Sequence, residues 1–507
     1  MILTIEGTEA KYYIQTICLI FFPGSKFGEN EEAGDDVPEV SVSVTPGEGG
    51  GFLCRAKIRM NGEEAEAVGE AVPDETVKTQ ARLEKLAIGR AVFEAGKKFF
   101  RHAPPWGILT GVRPSKVAME LLADGLGVQR SRRILRDEYF VNPKKAALAV
   151  NVANAEAKLA KKLDGGLCSV YISIPFCPSR CSYCSFISAS VQKLFGVLDD
   201  YVERLLGDVA YTFETIRMAG LRVATVYIGG GTPTVLSEGQ LSRLLAAIAK
   251  EVDPATLMEF TLEAGRPDTI TAEKLKIARE FGVTRISVNP QTLSDEVLQN
   301  VGRRHTVADF FRAWDVAAAS GIRDINVDLI AGLPGDTFSG FASSLDRIIA
   351  LAPSNLTVHT LSVKNAAFLK ETGYNLYSLT GGDTAKMVEY SQLQTKMAGY
   401  KPYYMYRQKN SLGNLENVGF CLEGREGYYN VFMMEELHSI FAVGAGAVTK
   451  LVDRVPGQNG RIERIFVPKY PYEYLRDMDK IRDGCPEEGK LPMREKILSF
   501  FREGTLS

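Results

Sequence analysis

At 507 residues the chain is too long for one ordinary hydrophobic core, so two or three domains are the default. Its 60 Lys and Arg against 62 Asp and Glu leave a formal net charge of -2, which removes any electrostatic case for nucleic acid. The longest apolar run near the N-terminus, Ile14 to Phe22, is interrupted by Gln15 and Thr16 and is far too short to span a bilayer. No basic stretch precedes it, as a secretory signal would require, so no membrane span is expected. Of eight cysteines, three lie close together and the others show no disulfide framework, a pattern that points to a reducing, cytoplasmic setting.

In chain order, Tyr12–Phe22, Val40–Val44 and Phe52–Met60 read as short β-rich runs divided by Gly- and acid-rich stretches. Asp74–Lys98 has the apolar spacing of an amphipathic helix, and further helices broken by Pro104-Pro105 and Pro114 follow. This predicts a small α+β domain with a helical connector over residues 1–165. From Ser169 the pattern becomes a regular alternation. Strands are predicted at Ser169–Ile174, Val223–Ile228, Met258–Ala264, Val283–Asn289, Ile325–Ile330 and Leu356–Leu361, with helical segments between them. Mostly apolar strands in six βα repeats call for a parallel sheet covered by helices, closed as far as a partial (β/α)6 barrel over 166–365. Functional residues then belong at the C-terminal ends of its strands. Residues 366–507 form a third, α+β region expected on the substrate side.

The first predicted strand runs directly into Phe176-Cys177-Pro178-Ser179-Arg180-Cys181-Ser182-Tyr183-Cys184. Thiolates at C-x3-C-x2-C spacing can converge on one metal centre. A cubane iron–sulfur cluster usually takes four cysteines, so three leave one iron open. A structural zinc site would more often bring a second C-x2-C pair or two histidines, and neither pattern occurs. Cys168, at the start of the same strand, reads as a buried structural thiol rather than a fourth ligand. After the second strand comes Gly229-Gly230-Gly231-Thr232-Pro233-Thr234, whose glycines let backbone approach a ligand closely. It lacks the Gly-Lys-Ser/Thr of a P-loop and the spacing of a dinucleotide fingerprint.

Cysteine triplet and glycine run together, in this order, resemble the radical S-adenosylmethionine (SAM) enzymes. Tyr171-Ile172-Ser173-Ile174-Pro175-Phe176-Cys177, Gly302-Arg303-Arg304-His305 and Val327-Asp328-Leu329-Ile330-Ala331-Gly332-Leu333-Pro334 narrow the likeness to the oxygen-independent coproporphyrinogen III oxidase family. Tyr403-Tyr404-Met405-Tyr406-Arg407-Gln408-Lys409-Asn410, Met433-Met434-Glu435-Glu436, Gly444-Ala445-Gly446-Ala447 and the Trp106–Pro114 segment are similar to its HemZ-type branch, the coproporphyrinogen dehydrogenases. The resemblance implies a [4Fe-4S] cluster on Cys177, Cys181 and Cys184. It implies SAM contacts from Tyr171, Gly230, Gly231, Thr232, Glu263, Gln291, Arg303 and Asp328. No catalytic side chain is assigned. The implied activity is oxidative decarboxylation of two propionates of coproporphyrinogen III, with a reduced flavodoxin- or ferredoxin-like electron donor. Such a substrate carries four carboxylates, and Arg407 and Lys409, interleaved with tyrosines, are the expected cations of its pocket.

Two departures bear on the substrate. The decarboxylating branch has His where this chain has Ser173, and a further Cys where it has Phe186. That cysteine is also missing from the haem chaperones of the same family. A haem-binding chaperone, and another radical SAM enzyme acting on a tetrapyrrole, are therefore the competing readings.

Overall fold

The computed structural model describes residues 1–28, 35–77, 79–184, 189–190, 195–362, 381–408, 411–453, 460–484 and 491–504. The N-terminal part is a four-stranded sheet in the order β1 (Ile2–Glu6), β2 (Glu39–Pro46), β3 (Phe52–Met60) and β4 (Glu63–Ala71). β3 and β4 are joined at Asn61-Gly62, both with positive φ, the two-residue turn whose twist matches that of the strands it joins. The long helix Gln80–Phe100 packs on this sheet, capped by the Thr79 side chain, which accepts from the Arg82 amide.

Tyr12–Phe22 is not a strand. Lys11–Phe21 is a helix, and its buried residues Ile14, Ile17, Cys18 and Phe21 fall on one helical face. Phe21 meets Phe93 of the long helix edge-on at a centroid distance of 5.8 Å and stacks on Phe100 at 5.9 Å. The run's β-branched and aromatic content favours a strand locally, but its 3.6-residue periodicity buries more against a neighbouring helix.

Three connector helices, Ser115–Ala123, Val128–Asp137 and Pro143–Ala160, lead to the large sheet. Six strands there lie parallel and consecutive: β5 (Leu167–Ile174), β8 (Arg222–Gly230), β9 (Glu259–Leu262), β10 (Arg285–Ser287), β11 (Asp324–Ala331) and β12 (Asn355–Thr360). The helices Leu198–Met218, Glu238–Glu251, Ala272–Glu280, Val307–Ala319 and Phe338–Ala350 alternate with them. β5, β9 and β10 are buried almost without interruption, as strands covered on both faces must be. A short parallel pair, β6 (Phe176–Cys177) and β7 (Ala189–Ser190), follows β5.

The sheet stays open, and later chain extends both edges. Beside β12 run β13 (Lys401–Arg407) and β14 (Glu416–Cys421), both antiparallel to their neighbours. Beside β5 runs β15 (Ile440–Val443), parallel to it, and then β16 (Val448–Val452) and β17 (Ile462–Phe466), antiparallel. Among the described residues no helix is long and apolar enough to cross a membrane.

The Trp106–Pro114 segment docks onto β13 and β14. The Trp106 indole N–H donates to Glu416 Oε2 at 2.8 Å, and the Lys145 ammonium and Gln392 amide engage Glu416 Oε1. Burial opposes the charge on Glu416, but Lys145 and Trp106 outweigh it and hold its carboxyl below the usual range. Arg407 closes the same joint: its amide donates to the Val112 carbonyl at 2.7 Å, and its guanidinium to the Leu109 and Gly111 carbonyls. Glu416→Ala strands the Lys145 ammonium in the interior, and the expected loss is about 3–5 kcal/mol. A lowered urea midpoint checks this, whereas an unchanged midpoint would show that the clasp is not needed.

Candidate functional site

The first two parallel strands end in close contact. The Gly231 amide donates to the Ile174 carbonyl at 2.8 Å and the Thr232 amide to the Phe176 carbonyl at 2.7 Å. A Cβ at Gly231 would stand 2.5 Å from the Phe176 carbonyl oxygen, and Gly230 has φ +104. Only glycines admit this approach, which brings the glycine run against the start of the cysteine loop. The loop is also tied to the Gly302-Arg303 motif. The Ser182 amide donates to the Val301 carbonyl at 3.0 Å, and Ser179 Oγ to the Gly302 carbonyl at 3.0 Å.

Cys177, Cys181 and Cys184 thereby border one cavity of about 840 Å³. The Thr232 hydroxyl donates to Cys177 Sγ at 3.4 Å and the Arg266 guanidinium to Cys181 Sγ at 3.8 Å. Arg303 adds a second nearby positive charge. Cys168 lies buried at the opposite end of β5, its thiol pushed up by burial. Among the described residues no three His, Cys, Asp or Glu side chains are grouped as ligands of a single metal ion. A cubane instead gives each thiolate its own iron.

All eight residues expected to contact SAM border the same cavity. Gln291 holds φ +71, an uncommon value for a side-chain-bearing residue, and its backbone pairs with Asp328 and Ile330 on β11. Its Oε1 is buried without a hydrogen-bond partner, as a group awaiting a ligand would be. The Arg303 guanidinium donates to the Asn289, Pro290 and Gly265 carbonyls, bracing the ends of the third and fourth parallel strands. Asp328 accepts from the Asn289 and Asn326 amides, each at 2.8 Å, and His359 Nε2 stands 3.7 Å from it. Burial pushes Asp328 up, but His359 and Asn326 outweigh that cost and set its carboxyl low. Glu263 goes the other way: burial, then the Asp328 charge, raise its carboxyl to about 8. One carboxyl holds its proton at neutral pH while its neighbour is anionic.

Tyr171, Tyr227 and Tyr429 form a stacked wall, with Tyr227 and Tyr429 only 4.6 Å apart between centroids. Tyr404 and Tyr406 also border the cavity, and the Tyr406 hydroxyl lies 3.2 Å from His359 Nδ1.

Arg407 does not reach the cavity. Side chains alternate across a strand, so Arg407 emerges from β13 on the face opposite Tyr404 and Tyr406. There it is buried against the Leu109 and Gly111 carbonyls, with its guanidinium 5.7 Å from the Trp106 ring. The expectation of a substrate cation at Arg407 is corrected accordingly; Lys409 falls outside the described residues. Among the described residues the cations that border the cavity are Arg266, Arg303, Lys450 and Arg464, of which only Arg303 is expected from the sequence. Arg266 follows Glu263 by three residues, just past β9. That position at a strand's C-terminal end was the available signal.

An open parallel sheet with three cysteines after its first strand and polar groups at the ends of the others defines a radical SAM fold. A family model described as the radical SAM superfamily matches residues 171–348. The chain is 37% identical to the oxygen-independent coproporphyrinogen-III oxidase-like protein HemZ of Bacillus subtilis (strain 168), over 75% of each chain. It is 33% identical to the heme chaperone HemW of Lactococcus lactis subsp. lactis (strain IL1403), over 55% of this chain and 68% of that protein. The solved coproporphyrinogen III oxidase (HemN) from Escherichia coli superposes with TM-score 0.50 at 21% identity, over 65% of this chain and 72% of that one, a likeness of fold. The chain therefore belongs to the radical SAM superfamily, within the oxygen-independent coproporphyrinogen-III oxidase-like family. That family uses a [4Fe-4S] cluster and SAM.

Because the folded carboxyl of Glu263 titrates above its ordinary value of 4.5, stability is fully present below that value and lost as pH rises toward about 8. Glu263→Gln removes the loss. In the cofactor-free protein, the variant's melting temperature relative to the parent is expected to rise by several degrees between pH 5 and pH 9. A pH-independent difference would contradict this.

Proposed function

We propose that the protein is an oxygen-independent coproporphyrinogen III dehydrogenase of haem biosynthesis, converting two propionates to vinyl groups. The observation that carries the reading is the convergence of the cysteine loop and eight further residues from the parallel strands and their connections on one cavity. In this reading Cys177, Cys181 and Cys184 would hold the cluster. Bound there, cluster and SAM supply a 5′-deoxyadenosyl radical, which can take a hydrogen atom from an unactivated carbon. The protein's part is to bind and orient. Gly230, Gly231 and Thr232 offer backbone at close approach, and the orphaned Gln291 Oε1 receives an N–H or O–H of the cofactor. Protonated Glu263 donates and anionic Asp328 accepts, so the two carboxyls distinguish complementary ends of a ligand. Each turnover then takes a hydrogen atom from the β-carbon of one propionate, releases CO2 and passes an electron to an external acceptor. A reduced flavodoxin- or ferredoxin-like protein is the proposed electron donor.

Ser173 spends its hydroxyl on the Ala445 carbonyl at 2.9 Å, which gives the Gly444–Ala447 motif a packing role against β5. A haem-binding chaperone is the second reading, favoured by the HemW relative and by His359, the one of the four histidines that borders the cavity.

Anaerobic incubation of the reconstituted protein with SAM, reductant, an electron acceptor and coproporphyrinogen III is expected to yield 5′-deoxyadenosine and a product lighter by two CO2. Deoxyadenosine without that product would reject the substrate, and tight haem binding by the same sample, lost in His359→Ala, would favour the chaperone. Cys181→Ala is expected to abolish the cluster's visible absorbance after reconstitution, and a full cubane in that variant would overturn the ligand set.

A further inference from the structure

Of the four cations that border the cavity among the described residues, two are consumed by the fold. Arg303 is held by three carbonyls, and Arg266 by Asp268, Ser179 and Cys181. Lys450 and Arg464 differ. They stand directly opposite each other on β16 and β17, in register, with Val448 opposite Phe466 one pleat further on. The alternate residues Thr449 and Leu451 are buried in the core. One face of this strand pair therefore presents Val448, Lys450, Arg464 and Phe466, and all four border the cavity.

Like charges placed opposite on adjacent strands repel, so the pairing calls for an anion between them. Glu436 answers only in part. Its Oε1 lies 3.3 Å from Lys450 and 3.5 Å from Arg464, while its Oε2 is 3.2 Å from Arg113. Glu435, 3.9 Å from Arg113, belongs to the same cluster. Beside them the Phe466 ring is 65% exposed, a large apolar surface at the mouth of a cavity.

We propose that this face of β16 and β17 is the seat of the substrate's carboxylates: Lys450 and Arg464 receive a propionate between them, and Phe466 lies against a pyrrole ring. The proposal rests on the reading of the substrate as a tetrapyrrole bearing propionates. Those side chains are common to coproporphyrinogen and haem. The two cations act on binding, and the radical machinery does not include them.

The test is fluorescence titration of the cluster-loaded protein, under argon, with coproporphyrin III and with its tetramethyl ester. The parent protein is expected to bind the acid more tightly than the ester, with an affinity that falls as salt rises. The Lys450→Met/Arg464→Met double variant is expected to weaken the acid about tenfold or more and leave the ester unchanged. Phe466→Ala weakens both ligands alike. Unaltered cluster absorbance and SAM binding report an intact fold. Should the double variant lose the cluster, Arg464→Glu alone is expected to penalise the acid over the ester. Equal binding of acid and ester by the parent, or unchanged acid affinity in the double variant, overturns the proposal. Carboxylate-dependent binding lost in the variant, without decarboxylated product from the parent, would uphold this seat while rejecting the dehydrogenase. Decarboxylation by the parent with an unchanged KM in the variant would do the reverse. A haem titration in parallel shows which of the two tetrapyrroles takes the seat.

Discussion

The site depends on how closely two strand ends approach. Where Gly231 and Thr232 pair with Ile174 and Phe176, backbone meets backbone with no room for a side chain. That contact sets the cysteine loop beside the glycine run and puts the Thr232 hydroxyl within reach of Cys177. Everything further along the sheet adds polar groups to a corner already defined. Glu263, Gln291 and Asp328 do so from successive strands, and the two carboxyls differ, one neutral and the other charged, because His359 and two asparagine amides stand beside Asp328 while Glu263 is buried next to the Asp328 charge. Burial acts on both, and the groups beside each carboxyl decide between them.

Much of this was legible before any coordinates, because parallel strands and cysteine spacing leave strong local traces. Apolar runs at regular intervals located β5 and β8 to β12, and the rule that parallel sheets work at their C-terminal ends placed the polar candidates. What failed did so for identifiable reasons. Tyr12–Phe22 has strand-like residues at helical spacing, and packing against Phe93 and Phe100 followed the spacing. Arg407 sits among tyrosines in the sequence, but a strand sends neighbours to opposite faces, so proximity along the chain meant separation across the sheet. Lys450 and Arg464 carry no local signal. They are fourteen positions apart, and only their antiparallel register makes them neighbours.

The Trp106–Pro114 segment shows the same limit from another direction. Its composition suggests a turn and nothing more, since the partner that explains it, Glu416, lies 310 residues away. A buried carboxylate shared by an indole, an ammonium and an amide is costly unless every donor is in place. The N-terminal part is thereby fastened to the edge of the sheet that carries Tyr404 and Tyr406, and through Arg113 and Glu436 it also reaches Lys450 and Arg464.

The open sheet has a consequence for how such a protein can diversify. The corner with the cysteine loop is built from interior strands, each held by two neighbours, whereas the groups proposed to meet a substrate sit on strands added toward the margins. β13 and β17 each have one neighbour, so residues there can be exchanged without disturbing the pairing of β5 with β8. Under the proposed reading, selectivity and reactivity are carried by different strands. New ligands can be tried at the borders of the molecule while the chemistry at its centre stays as it is.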